Sequence, residues 1–525
     1  MREASTAGDE TAARFDELQR KLVPLWRSIR SMTPDEQTIV VVPSMTLEDP
    51  GWPGSVLQPY EERFLFLLLL LRQPRARLVY VTSQAVNPSV VDYYLDLLPG
   101  VIPSHARRRL HLVTPLDGSA RPLSEKLLER PRLLARIREL ILDPDRAHLV
   151  PFNTTELERD LALALGIPMY GADPRFFHLG TKTGSRRLFA EEGVRHPVGE
   201  EGLGGIADLV AALARVRAAR PRAAHAIVKL NEGVSGEGNA SVDLRGLPAP
   251  GSKDEVDAID ERVRAMRFEA PSVDLGSYAA DLAEHGGVVE ERIAGDEIRS
   301  PSVQMRVTPL GELEVLSTHD QVLGGPSGQA YLGCRFPGDR AYSAAITREA
   351  VKVGERLARE GVLGRFAVDF VVVRSGSGWD PYAIELNLRK GGTTHPFLTL
   401  QFLTDGVYDP DTGVFTAPSG RAKHFVASDH VESPSYRSLT PDDLFDIVVR
   451  RGLHFDQPRQ TGVVFHMMSA LGEHGRTGLT AVADDPAGAD ELYDRVVAVL
   501  DEESAASPER TGCPRSTSRS PLRSP

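Results

Sequence analysis

"AIELNLRKGGTTHP", residues 383–396, is the stretch on which the reading of this chain turns. An apolar run ends in a carboxylate and an amide, Glu385 and Asn387. They are two residues apart and so lie on one face of a strand. Arg389 and Lys390 follow at once, then Gly391 and Gly392. Upstream, "VLGRFAVDFVVV" (362–373) carries one acid, Asp369, inside an otherwise apolar strand. A charge there is costly unless it is paired or bound to metal. Only the turn "RSGSGWDP" separates the two strands. If they are antiparallel neighbours, Asp369, Glu385 and Asn387 converge, and a set of oxygen donors of this kind suits Mg²⁺. Arg389, two residues further on, is placed to stabilise negative charge on a transferring phosphoryl group or a tetrahedral centre.

Further upstream, "KLNEGVSGEGN" (229–239) holds glycines at 233, 236 and 238. Such a turn lets backbone N–H groups approach a phosphate closely. Alone it reads equally well as a tight hairpin. It lacks the Gly-Lys-Ser/Thr ending of a P-loop and runs into a strand, not a helix. Lys229 on the strand before it favours a phosphate role. Lysine stands at only eight positions, against fifty-three arginines. That scarcity draws attention to Lys229 and to Lys182 in "GTKTGSRR", which alone reads as a solvated helix start. "VVEERIAGDE" places Glu290 seven residues before Glu297, at a strand end entering an acidic turn. It is either a solvated strand end or a hinge that meets an adenine edge, with a carboxylate for ribose hydroxyls.

A chain of 525 residues exceeds one core and implies several domains. The net charge of −12 gives no basic field for nucleic acid. Cys334 and Cys513 form neither a disulfide framework nor a metal-ligand spacing, which fits a reducing cytoplasm. The polar, acidic start does not read as a signal peptide. "FLFLLLLL" (64–71) is too short to span a bilayer and is expected to be a buried helix.

Residues 1–35 read as a polar lead with one helix. From "TIVVVPSM" (38–45) to "ELERDLALAL" (156–165), apolar runs alternate with helical patterns, including one through Leu127–Leu142. That alternation predicts a parallel sheet with crossover helices. No G-x-G-x-x-G turn follows the first strand, which argues against ordinary dinucleotide binding. The polar region near Ser252–Ser272 reads as an insertion or a mobile helix. Residues 421–503 form a further small α/β stretch. The Pro-, Ser- and Arg-rich tail from Ser504 is expected to be disordered.

A first lysine, a second lysine on a strand, a glycine flap, E-x₆-E, a strand aspartate and E-x-N occur in that order from Lys182 to His395. The ordered set resembles the ATP-grasp superfamily. "YEERFLFLLLLLR", "LVYVTS", "KLLERPRLLARI", "LGTKTGSRRLFAEEGV", "STHDQVLGG", "IELNLRKGGTTHPF" and "HMMSALGEHGRTGLTAV" resemble one branch of it, the carboxylate–amine ligases of pheganomycin type. The resemblance implies an α/β protein. It has a Rossmann-like pre-ATP-grasp domain (36–173), a two-lobed α+β ATP-grasp core (174–420) and a small C-terminal α/β domain (421–503). It implies ATP and Mg²⁺, with two ions expected, and small-molecule acid and amine substrates of amino-acid or peptide type. It leaves the oligomeric state open.

Under the resemblance, Asp369, Glu385 and Asn387 hold Mg²⁺, and Lys182 and Lys229 contact the phosphates. The flap from Gly233 through Ser235, Gly236 and Gly238 to Asn239 covers the triphosphate. The hinge Glu290, Glu291 and Ile293 meets adenine, and Glu297 the ribose. Arg389 meets the γ-phosphate or acyl phosphate. Arg365 and Arg306 are candidates for the acid substrate, since a bidentate arginine suits a carboxylate. His319 and Gln321 are candidates for recognising a substrate carboxylate or amine, and Thr393, Thr394 and His395 for facing the acceptor. The expected reaction is amide formation through an acyl phosphate, with release of ADP and phosphate. A kinase that stops at phosphorylation, or a non-catalytic ATP-binding subunit, are the competing readings.

Overall fold

The computed structural model describes residues 2–30, 36–46, 54–233, 238–270, 273–324, 328 and 330–506. Ser235 and Gly236 of the flap lie outside them, as do Cys513 and the tail from 507 onward. The alternating apolar runs form β1 (Gln37–Val42), β2 (Ala76–Val81), β3 (Leu110–Val113) and β4 (Ala147–Pro151). They pair in parallel in the order β3-β2-β1-β4, as the pattern predicts. Two helices precede this sheet, Arg2–Gln19 and Leu22–Arg30, where the sequence suggests one. "FLFLLLLL" is buried and helical, as a 3₁₀ segment Arg63–Arg72 that continues the α-helix Gly54–Glu62. The helix expected over Leu127–Leu142 is two helices, Leu123–Leu128 and Pro131–Leu140. Pro131 cannot continue the first but suits the first turn of the second.

A five-stranded sheet follows: β5 (Gly199–Leu203), β6 (His225–Leu230), β7 (Asn239–Asp243), β8 (Arg267–Phe268) and β9 (Gly287–Glu291). The glycine stretch is the hairpin between β6 and β7. The polar region after Ser252 is a packed helix, Glu255–Arg264, whose Ile259 and Val263 are fully buried. This sheet and its helices have their own apolar core, drawn from residues 203–289.

The largest sheet has nine strands. It contains β10 (Ile298–Arg299), β11 (Pro301–Val307), β12 (Leu313–Gly324), β13 (Ala330–Phe336), β14 (Gly364–Ser375) and β15 (Gly378–Asn387). A small hairpin stands apart, β16 (Val407–Asp409) with β17 (Val414–Thr416). The C-terminal strands β18 (His424–Glu432), β19 (Gly462–His466) and β20 (Arg476–Ala483) then extend the nine-stranded sheet, since β18 pairs antiparallel with β13. The closing helix Pro486–Ala506 takes in Ser504. No described helix is long and apolar enough to cross a membrane.

Candidate active site

β14 and β15 are antiparallel, and Asp369 stands directly opposite Glu385, with Ala367 opposite Asn387. The register shifts just after Asp369, a bulge that re-aims the side chains at this point. The carboxylates of Asp369 and Glu385 and the amide of Asn387 all line one cavity of ≈ 390 Å³. Asn387 Nδ2 donates to Asp369 Oδ2 (2.9 Å), and Gln321 Nε2 on β12 donates to Oδ1 (2.8 Å). Burial and the neighbouring Glu385 charge push Asp369 up to about 6. Burial also works against the Glu385 carboxylate, but Lys182 and then Arg389 outweigh it, and its pKa lies below the ordinary value. Of the two acids, Asp369 is the one short of positive charge.

The cations come from three directions. Lys182 opens the helix Lys182–Glu191, capped by Thr181, and its ammonium pairs with Glu385. Lys229 on β6 pairs with Glu290 on β9, which also accepts from Arg186 Nη1 (3.2 Å). Arg389 lines the cavity beyond Asn387, and burial draws its guanidinium below its usual value. Lys390 points the other way. Its ammonium donates to the Pro151 carbonyl at the end of β4 (2.6 Å), and burial, then Arg365, bring it down to about 7. The turn after it is fixed by Thr394, whose hydroxyl accepts from Gly391 N–H (3.0 Å), and by Gln304, which bonds Thr393. Gly392 must be small, because a Cβ there would come within 2.6 Å of the Tyr331 ring.

Lys182, Lys229, Gly233, Gly238, Asn239, Glu290, Glu291, Ile293, Gln321, Asp369, Glu385, Asn387, Arg389 and Thr393 all line the cavity. Glu297 does not, and its carboxylate pairs with Arg299 (2.8 Å). Arg306 and Arg365 are strand partners at the far end of β11 and β14, about 13 Å along the strand from Asp369. Arg306 pairs with Glu314 (2.6 Å) and stacks over Trp26 (5.1 Å), away from the cavity. His319 is fully buried among Phe336 and Phe425, bonded to Ser317, and pushed down to about 3 by burial. Thr394 and His395 are buried behind the turn.

Sequence reasoning passed over several residues. Arg63, directly before the leucine run, lines the cavity and pairs with buried Asp429 on β18 (2.7 Å). Asp429 carries the same signal as Asp369, one acid in an apolar strand, "HFVASDHV". Tyr60, Phe152 and His430 join them, so the parallel-sheet region and the C-terminal strands close one end of the cavity. The five-stranded sheet closes the other.

In solved structures the same architecture recurs. N5-carboxyaminoimidazole ribonucleotide synthetase matches 89% of this chain and 97% of its own, at 11% identity with a TM-score of 0.51. The biotin carboxylase of Campylobacter jejuni matches 89% and 95% at 14% identity, with the same TM-score. An "IQCH-like, ATP-grasp" family model covers residues 273–409, and one for the "PGM1 C-terminal domain" covers 443–496. The fold is thus that of the ATP-grasp proteins. The L-propargylglycine–L-glutamate ligase of Streptantibioticus cattleyicolor is 32% identical over 82% of this chain and 86% of its own length. IQ motif-containing protein H of Danio rerio is 24% identical over 94% of this chain and half of its own. The chain belongs to the ATP-grasp carboxylate–amine ligases, enzymes that form C–N bonds at the expense of ATP with Mg²⁺.

Proposed function

We propose that this ligase joins the carboxylate of one amino acid or small acid to the amine of a second amino acid or peptide. The acid is activated as an acyl phosphate, and ADP and phosphate are released. The observation that carries this reading is the convergence of Asp369, Glu385 and Asn387 on one wall of a cavity whose opposite wall carries Lys229 and the β6–β7 hairpin. The similar enzyme from Streptantibioticus cattleyicolor, a ligase of propargylglycine with glutamate by its name, supports the amino-acid class.

The donor set fits Mg²⁺. It is all oxygen, and burial beside Glu385 raises Asp369 to about 6, a strain on its carboxylate that a bound cation would relieve. Bound there with ATP, the metal would neutralise charge on the outer phosphates. Lys182, freed from Glu385, and Lys229 neutralise the phosphate oxygens from the nucleotide side. Arg389 faces the end where the acid meets the γ-phosphate and stabilises the charge-rich states of both half-reactions. A carboxylate oxygen attacks the γ-phosphorus, and ADP leaves. The amine then attacks the acyl carbon and phosphate leaves with that oxygen. Tyr60, Phe152 and Tyr331 wall the acyl end and exclude water from the activated acid.

The test uses pairs of amino acids, with the acid carrying ¹⁸O in its carboxylate. The reading expects ADP as product, with one ¹⁸O in phosphate and the other in the amide. AMP with pyrophosphate, or label in AMP, overturns the acyl phosphate. A stable phosphorylated acid with no amide in the presence of any amine overturns the ligation.

A further inference from the structure

His395, Asp429 and His466 come from three separate stretches: the first turn of helix Thr394–Thr404, the middle of β18 and the end of β19. Each is buried, at 4–5% side-chain exposure. Three of their atoms form a small triangle. His395 Nε2 lies 3.0 Å from His466 Nε2, His466 Nε2 lies 2.7 Å from Asp429 Oδ1, and His395 Nε2 lies 3.3 Å from that same oxygen.

Two of the three arrangements of protons leave this triangle with an unmatched atom. A neutral imidazole has one N–H and one bare nitrogen. If His466 Nε2–H donates to Asp429, then a bare His395 Nε2 faces the carboxylate lone pairs, and its Nδ1–H has no partner among the described residues. If His395 donates to His466 instead, the bare His466 nitrogen meets the carboxylate oxygen at 2.7 Å. If both nitrogens are protonated, Asp429 Oδ1 accepts from both, at 2.7 and 3.3 Å, but the two N–H groups then lie side by side with their nitrogens 3.0 Å apart. A cation satisfies all three atoms at once. A point about 2 Å from each exists just off their plane, which is the bond length of zinc to imidazole and carboxylate.

The surroundings are built for it. Arg63 Nη1 holds the second oxygen of Asp429 at 2.7 Å, the outer hydrogen bond that orients a ligating carboxylate. Gly478 on β20 leaves room for the His466 ring, since a Cβ there would lie 2.0 Å from its Nε2. Among the described residues, no other His, Cys, Asp and Glu side chains are gathered in this way.

We propose that His395, Asp429 and His466 bind one divalent transition-metal ion of the zinc class, distinct from the Mg²⁺ of the ATP site. Two imidazoles with one carboxylate select zinc, cobalt, nickel or iron over magnesium and calcium. The ion would sit beneath the end of the cavity lined by Arg63, Asp429 and Thr393, and tie the turn after Arg389 to the C-terminal strands.

The experiment takes the full chain, strips it with a chelator, adds Zn²⁺ or Co²⁺, desalts it and counts metal by mass spectrometry. Wild type and Glu385→Gln are expected to retain one ion per chain, and Co²⁺ to give visible d–d absorption. His466→Asn and His395→Asn, checked for fold by circular dichroism, are expected to lose affinity by about 10- to 100-fold or more. Three results overturn the proposal: wild type that retains no zinc and shows no cobalt bands, folded His466→Asn that retains as much as wild type, or loss of the ion in Glu385→Gln.

Discussion

Lys182 pairs with Glu385 and Lys229 with Glu290, so each of these two lysines, proposed to bind phosphate, is partnered by an acid. Asp369 is paired with no cation; it is bonded by the amides of Asn387 and Gln321 and by the Ser302 side chain. This asymmetry makes the two acids behave differently on substitution. Glu385→Gln removes a charge that Lys182 and Arg389 need, and is expected to lower ADP release about 100-fold or more. Steady-state rates at saturating Mg²⁺ check it. Asp369→Asn is expected to lose turnover and yet gain stability when metal-free. The ordinary Asp value of 3.8 is raised to about 6 in the fold, so between those values the unfolded chain has released a proton that the native chain still holds. Stability therefore falls as pH rises through that window. The Asn variant lacks this fall. Its melting temperature without Mg²⁺ should equal or trail that of wild type at pH 4 and exceed it at pH 7. A melting difference that does not vary with pH would show that Asp369 is not the strained acid.

At the scale of the element, the register of β14 against β15 brings Asp369, Glu385 and Asn387 together, and that register was legible. One acid in an apolar strand, a short turn and an E-x-N ending specify two antiparallel neighbours whose polar residues meet. The hairpin at the glycines and the helix behind Lys182 were legible for similar local reasons. His319 was misplaced because alternation fixes which side of a strand a residue faces, not what covers that side, and Phe336 and Phe425 cover it. Arg306 and Arg365 were misplaced because their distance along the strands was not weighed. The turn after Arg389 shows what a local pattern leaves out. Gly392 needs no unusual backbone angle; it is small because Tyr331 of β13 lies on it. Gly392→Ala is expected to displace the turn, cost about 1–3 kcal/mol and slow catalysis through Arg389. Tyr331→Leu in the same chain should restore most of the stability, as read by urea denaturation. If Gly392→Ala alone is neutral, the turn is not clamped in this way.

Over the whole molecule, the contacts that close the Arg63 end of the cavity join residues hundreds of positions apart, and no local pattern announces them. One apolar core runs from the β1–β2 region through β13 to the last helix, including Phe64, Phe336, Phe465 and Leu500. Polar pins cross it: Arg63 to Asp429, Tyr94 Oη donating to the Phe465 carbonyl (2.9 Å), and Glu62 accepting from Met468 N–H (2.6 Å). The five-stranded sheet does not share this core and keeps its own. A unit with a separate core can open without unfolding the rest, which suits the wall that admits and covers a nucleotide. Glu62→Ala separates the two units experimentally, because it strands a buried N–H at a cost of about 1–3 kcal/mol. Hydrogen exchange should quicken together in β1–β4 and in β18–β20, and stay unchanged in β6, β7 and β9. A response confined to β1–β4 would divide the N-terminal sheet from the C-terminal strands. An equal response in β6, β7 and β9 would mean that the nucleotide wall is welded to the rest and cannot move independently.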